Sequence, residues 1–280
     1  MTIKKASDNV REMGPIIHNI TNYVTVNDVA NVLLACGASP IMADDKNEVS
    51  EITSITSGLN LNIGTLNERT VESMHIAGKT AEKLGHVINL DPVGAGASKI
   101  RTETAAELIK ELNLTTIRGN ISEIKAVASE LGIFKNQSKA KGVDADDVDM
   151  VTEENLDKSI EIIKLFAKET KAVTAVTGAI DIVTDGETAY VIRNGRKEMS
   201  KITGTGCQLS SLVTAFAAAN PDNILEGVAA AVMTMGAAGQ VAYENLKPED
   251  GNSTYRNKII DAIYHMTGEK LEELANYEKR

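Results

Sequence analysis

The chain is short of cysteine, with two in 280 residues, and it has no tryptophan and four histidines. Two cysteines cannot build a disulfide scaffold, and no Cys-x-x-Cys pair is available for structural zinc. An unstapled chain of this length can bury roughly three-quarters of its unfolded surface, so its core needs no covalent help. Such cysteine usage suits a reducing cytoplasm. A basic surplus is also missing: 29 Lys and Arg stand against 39 Asp and Glu, a net charge of −10. Nucleic-acid and membrane-surface binding both need a basic footprint, so neither is expected. An anionic nucleotide stays admissible if positive potential is concentrated locally. No secretory signal is visible, because Met1 to Gly14 is charged and helical in pattern. The longest apolar run, Gly227 to Ala242, is too short and too rich in Gly, Ala and Met for a bilayer, and reads as a buried helix.

What is present alternates. Short β-branched runs at Pro15–Ile20, Ser39–Met42, Leu59–Gly64, Val87–Asp91, Thr115–Arg118 and Ala172–Thr177 read as strands. Helical patterns lie between them, over Val24–Cys36, Glu68–Leu84, Thr102–Leu112, Ile121–Leu131 and Glu153–Lys168, several closed by glycine. Asp185-Gly186 between Asp181–Thr184 and Thr188–Ile192 predicts a hairpin. Long apolar helices follow at Gly206–Ala218 and Ile224–Glu244, and two more at Thr254–Met266 and Glu269–Tyr277. Strands separated by helices predict an α/β fold with a mostly parallel sheet covered on both faces. There is no internal repeat. The loosest stretch, Asn136–Asp149, is too short to act as a linker between domains, so one domain over 1–280 is expected. Its acidic run, Asp144, Asp146, Asp147 and Asp149, lacks the glycine of a calcium loop and reads as a solvated face.

Four segments could carry chemistry. Thr203-Gly-Thr-Gly-Cys207 precedes an apolar helix, where free N–H groups and the helix dipole favour an anion; ordinary capping by Thr203 or Thr205 is the plain alternative. Asn89-Leu-Asp-Pro-Val-Gly-Ala-Gly96 delivers Asp91 to a strand's C-terminal end, where open parallel sheets bind ligands. It is no dinucleotide fingerprint, since Lys99 takes the third glycine position, and no Gly-Lys-Ser/Thr follows its glycines as in a Walker A loop. In Arg118-Gly-Asn-Ile-Ser-Glu123 the arginine suits phosphate oxygens. Glu123 near Asp91 would give two hard donors for Mg²⁺, or it simply serves the helix N-terminus. Val176-Thr-Gly-Ala179 adds a hydroxyl and a flexible turn. One crevice could collect all four. His75, His86 and His265 show no ligand spacing, and Cys36 reads as a buried small hydrophobe.

In order along the chain, His18-Asn-Ile-Thr-Asn-Tyr-Val-Thr25, Gly37-Ala-Ser-Pro-Ile-Met-Ala43, Asp91-Pro-Val-Gly-Ala95, Arg118–Glu123, Val176-Thr-Gly178 and Gly204-Thr-Gly-Cys207 resemble the hydroxyethylthiazole kinases of the ribokinase-like superfamily. The His-Asn-Ile-Thr-Asn and Gly-Thr-Gly-Cys segments are the specific ones. The resemblance implies a three-layer sandwich and ATP-dependent phosphorylation of the primary hydroxyl of 4-methyl-5-(2-hydroxyethyl)thiazole in thiamine salvage. It also implies Mg²⁺ and a homotrimer with sites between subunits. By the same resemblance Met42 and Gly204 contact the thiazole and Asn22 lies in the substrate segment. Arg118 and Thr177 contact ATP, with Asp91 on the ATP side, and Asp91 and Glu123 serve the metal. Many superfamily relatives carry Asp as base where this chain has Cys207. A thiol, ordinarily near pKa ~8.5, is mostly neutral at pH 7. The helix N-terminus would lower that pKa and a neighbouring ATP would raise it. A pyrimidine kinase or a nucleotide-hydrate dehydratase is the enzymatic alternative, and a non-catalytic nucleotide-binding protein the other. The Cys at 207 counts against the first, and the presence of Asp91, Glu123 and Arg118 against the second.

Overall fold

The computed structural model describes residues 1–134 and 150–280. The acidic run in 144–149 lies outside them. Among the described residues, nine strands form one sheet in the order β2-β1-β3-β4-β5-β6-β7-β8-β9. The first six, β1 (Ile16–Ile20), β2 (Ser39–Ile41), β3 (Gly58–Asn62), β4 (Val87–Asp91), β5 (Thr116–Asn120) and β6 (Val173–Thr177), are parallel. Then β7 (Asp181–Thr184), β8 (Ala189–Ile192) and β9 (Tyr277–Lys279) add antiparallel pairs. β2 sits at the edge, where Pro40 costs no ladder bond that a central strand would need. The chain steps one way from β1 to β2 and the other way to β3, so the sheet has a switch point at β1. Such points leave a crevice at the carboxyl ends of the strands.

Helices cover both faces. One face carries α1 (Ile3–Met13), α2 (Val26–Cys36), α8 (Thr205–Ala218), α9 (Ile224–Glu244), α10 (Asn252–Tyr264) and α11 (Gly268–Leu274). The other carries α3 (Val49–Ser54), α4 (Glu68–Leu84), α5 (Lys99–Glu111), α6 (Ile121–Glu130) and α7 (Leu156–Thr170). α4 shows why. Its buried residues, Thr70, Ser73, Met74, Ala77, Gly78 and Ala81, recur at helical spacing, an Asn67/Thr70 capping box starts it, and Gly85 at φ 70° ends it. α9 is long and apolar enough to cross a membrane, but 78% of its apolar window is buried inside the protein, which makes it a core helix.

The expected elements recur with three differences. α3 and β9 had no strong pattern, being six and three residues long. The final predicted helix stops at Leu274, and Tyr277–Lys279 turns back to pair with β8. α5 starts at Lys99, three residues early, because Ser98 adopts the extended N-cap conformation.

Alternation assigns the sheet's two faces. Leu59, Leu61, Ile88, Leu90 and Ile117 pack under α4 to α7. Their neighbours Asn60, Asn62, Asn89, Asp91, Thr116 and Arg118 therefore point to the α8 face. There the side chains form a row across four strands. Asn60 Nδ2 donates to Asn19 Oδ1 (3.1 Å), Asn89 Nδ2 to Asn60 Oδ1 (3.0 Å) and Thr116 Oγ1 to Asn89 Oδ1 (2.8 Å). All four are buried. Replacing Asn60 with alanine removes two of these bonds and orphans Asn19 Oδ1. We expect Asn60→Ala to lower the unfolding free energy by about 2–4 kcal/mol, read by urea denaturation.

Candidate active site

A second polar row lies two residues further along the same face, at the carboxyl edge. Asn22, just beyond β1, donates to Asn62 Oδ1 (3.0 Å), and Asn62 donates to Asp91 Oδ2 (2.9 Å). Arg118 Nη1 lies 3.8 Å from the same oxygen, and its Nη2 donates to Thr177 Oγ1. α8 closes over this row. Ser210 donates to Asp91 Oδ2 (2.7 Å) and Asn22 Nδ2 donates to Cys207 Sγ (3.2 Å). Gly206 packs so closely on Arg118 that a Cβ would stand 2.5 Å from Nη1.

The start of α8 resolves the capping alternative. Its N-cap is Gly204, at φ 83°, and no side chain bonds the first turn. Neither Thr203 nor Thr205 caps it, so the first amides stay free for an anion. A side chain at 204 would run into the Thr25 methyl. Thr25 in turn donates to Asn22 Oδ1 at 3.1 Å. Gly204, Thr25, Asn22 and Cys207 thus make one cluster at the start of α8.

Met42 follows β2 at the same edge, half-buried. The adjacent Ala43 carbonyl bonds to His18 Nε2 (2.9 Å), while His18 Nδ1 meets Thr53 Oγ1 (2.9 Å). Burial lowers the His18 pKa, so this buried ring is a neutral anchor for the Met42 segment.

A cleft of about 650 Å³ opens on the other side of Arg118. Thr177, Gly178 and Asp181 form one wall, Gly195, Arg196, Lys197 and Ser200 another, Thr205 and Gly206 the end, and Met199, Leu209, Val232 and Met235 an apolar lining. Arg118 is 11% exposed, and its Nε is buried without a partner. Such a guanidinium at the mouth of a free helix N-terminus suits phosphate.

Asp91 is fully buried, and burial pushes its pKa up to about 6 against the pull of Arg118. Its Oδ1 accepts no hydrogen bond. Glu123 takes up the helix-terminus role: its oxygens accept from Gly94 N–H and Asn120 N–H (2.8 Å each), completing a capping box on α6. Its charge adds to the upward push on Asp91. Among the described residues no cluster of three or more His, Cys, Asp or Glu forms a metal cage. Cys207 is buried, and burial together with the Asp91 charge raises its pKa. The hydrogen bonds from Asn62 and Asn22 and the Arg118 charge pull the other way but do not offset that rise.

Asn62, Ser210 and Asp181 were not among the expected site residues. The signal for Asn62 was available: Leu59-Asn-Leu-Asn-Ile63 alternates in a strand whose two faces are both covered, so its asparagines must be bonded inside.

A family model, described as the hydroxyethylthiazole kinase family, matches residues 8–269. The chain is 57% identical to hydroxyethylthiazole kinase of Clostridium acetobutylicum over 276 residues, 99% of each chain. It superposes on a hydroxyethylthiazole kinase structure from Pyrococcus horikoshii with TM-score 0.85 at 33% identity, covering 99% of this chain and 98% of that one. A ribokinase-like superfamily protein of Enterococcus faecalis shares the fold alone, at TM-score 0.61 and 10% identity over 92% of this chain and 88% of that one. The architecture is thus ribokinase-like.

The buried Asp91 has a consequence for the free protein. Between pH 4 and 6 the folded chain holds a proton on Asp91 that an unfolded chain, at the ordinary value of 3.8, has released. The group therefore favours folding most below pH 4, and that contribution is lost as pH rises to 6. With EDTA present, Asp91→Asn should be the more stable protein at pH 7, with the gap closing towards pH 4, as read by urea denaturation at each pH.

Proposed function

The chain belongs to the hydroxyethylthiazole kinase family, and on that premise we propose how its residues share the transfer of the ATP γ-phosphoryl group to the primary hydroxyl of 4-methyl-5-(2-hydroxyethyl)thiazole, the salvage step of thiamine synthesis. The observation that carries the reading is the one polar row joining a substrate-side cluster to a nucleotide-side cleft. The alcohol oxygen forms the new P–O bond, the bond from the γ-phosphorus to the β,γ-bridging oxygen breaks, and ADP leaves. We assign the thiazole to Asn22, Met42 and Gly204, and the nucleotide to Arg118, Thr177 and the Asp91 side.

Negative charge on the moving phosphoryl oxygens meets Arg118 and the free amides at Gly204–Gly206. In a loose transition state positioning and charge stabilisation dominate, and the alcohol gives up its proton late. A neutral thiol accepts no proton at pH 7, so only the small thiolate fraction at this position can take that proton, and the transferred phosphoryl oxygens accept it otherwise. Cys207 holds that position, oriented by Asn22.

Magnesium fits the donors. It takes one or two carboxylates together with phosphate and water oxygens, and Asp91 Oδ1 is a buried acceptor still without a donor. Each Glu123 oxygen, though used by a backbone N–H, keeps a second lone pair. Bound there, Mg²⁺ supplies charge neutralisation for the phosphates.

We read residues 1–280 as one catalytic domain, supported by a single sheet running from β1 to β9, and as a cytoplasmic enzyme, in keeping with two free thiols. Tyr23 (58% exposed) and Val24 (64%) stand beside Asn22. This apolar pair at the substrate cluster supports a homotrimer whose sites lie between subunits.

Coupled ADP release with the thiazole alcohol tests the reading; turnover no higher than the ATPase background sinks it. Arg118→Ala should lower kcat/KM by roughly 10²–10³. Cys207→Ala should cost only about tenfold, far below a full general base, and Cys207→Asp should keep or raise activity. By sedimentation, the wild type should run as a trimer. Val24→Glu should shift it towards smaller species and raise the thiazole KM while nucleotide binding persists.

A further inference from the structure

The nucleotide cleft contains a carboxylate that the phosphoryl transfer does not use. Asp181 opens β7 and lines the cleft, and its Oδ1 accepts from Gly178 N–H at 2.8 Å. Desolvation pushes its pKa up to about 7, against the Gly178 N–H and the Arg118 charge. A carboxylate in a pocket for a polyanion opposes its ligand, so its presence there calls for a compensating role.

The turn supplies one. β6 and β7 are antiparallel, and their last paired residues are Val176 and Ile182. The next pair outward, Thr177 and Asp181, is not in the ladder. The side-chain bond from Gly178 N–H to Asp181 stands where that rung is missing, and it fixes residues 178–180 where they cross between strands. A Cβ on Gly178 would meet nothing closer than 3.8 Å, so nothing else crowds that end of the turn. Thr177, at the base of the turn, receives the hydrogen bond from Arg118 Nη2.

We propose that Asp181 is a positioning residue for the nucleotide: by holding Gly178 N–H it fixes the Thr177–Ile180 turn, and so keeps the Thr177 hydroxyl on the Arg118 guanidinium and that guanidinium aimed at the phosphates. The proposal rests on the reading of this cleft as the ATP site. It assigns the function of Asp181 to an oxygen acceptor and not to a negative charge.

Two variants separate these. Asp181→Ala should raise the KM for ATP and the calorimetric Kd for the Mg²⁺ complex of the β,γ-imido analogue of ATP roughly tenfold, the loss of one good hydrogen bond. The thiazole KM should stay within about twofold, while kcat should fall as well, because the misaimed guanidinium also meets the moving phosphoryl charge. Asp181→Asn keeps the acceptor and lacks the charge, and should bind within about threefold of wild type. An alanine variant that binds the analogue like wild type overturns the proposal. So does an asparagine variant as weak as alanine, which would assign the effect to charge. Should the alanine protein fail to fold, Asp181→Leu, of similar shape and likewise without an acceptor, takes its place and is read by the same limits. Calorimetry needs no turnover, so a wild type that binds the analogue without phosphorylating the thiazole overturns the kinase reading and leaves Asp181 tested.

Discussion

The site depends on a charge buried in the middle of a sheet. Asp91 is sealed from water, and the groups that make its carboxylate tolerable are those that would handle the substrates. Asn62 and Ser210 donate to one oxygen, and Arg118 lies beside it. Asn22 is held by Asn62 and holds Cys207. Removing any member leaves a buried polar atom unmatched, so the row is rigid as a unit. That rigidity gives an apparently isolated Gly-Thr-Gly turn its fixed aim, because α8 is fastened to the sheet at Ser210, one helical turn beyond Gly206.

The sheet was legible because its apolar strands are short, β-branched and bounded by glycines, and its helices repeat at 3.6. The four chemical segments were legible as strand ends and helix starts, and they do gather at one edge. What stayed hidden was lateral. Which asparagine faces which depends on register between strands far apart in the chain, such as Asn62 opposite Asp91. Local pattern carries no record of that pairing. Asp181 was hidden for another reason: it reads as an ordinary first residue of a hairpin strand, and only the bend at Gly178 turns it into the cleft. α3 and β9 were too short for periodicity to mark.

Cys207 shows a contest that sequence could name without deciding. Asn62, Asn22 and Arg118 favour a thiolate, whereas burial and the Asp91 charge disfavour it, and the latter prevail. A kinase that moves a phosphoryl group through a loose transition state tolerates this outcome. A hydrolase that needed a pre-formed thiolate nucleophile would not. The same residue at the same helix start therefore serves different chemistry according to what lies beneath it.

The upper polar row has one further property. Its hydrogen bonds all run in one sense, from Thr116 through Asn89 and Asn60 to Asn19. Each amide can satisfy its neighbour only in the orientation that neighbour dictates. Four residues spread over nearly a hundred positions of sequence thus share a single choice. A change at one strand therefore leaves an unmatched polar atom on the next, unless that neighbour can turn its amide to meet another partner.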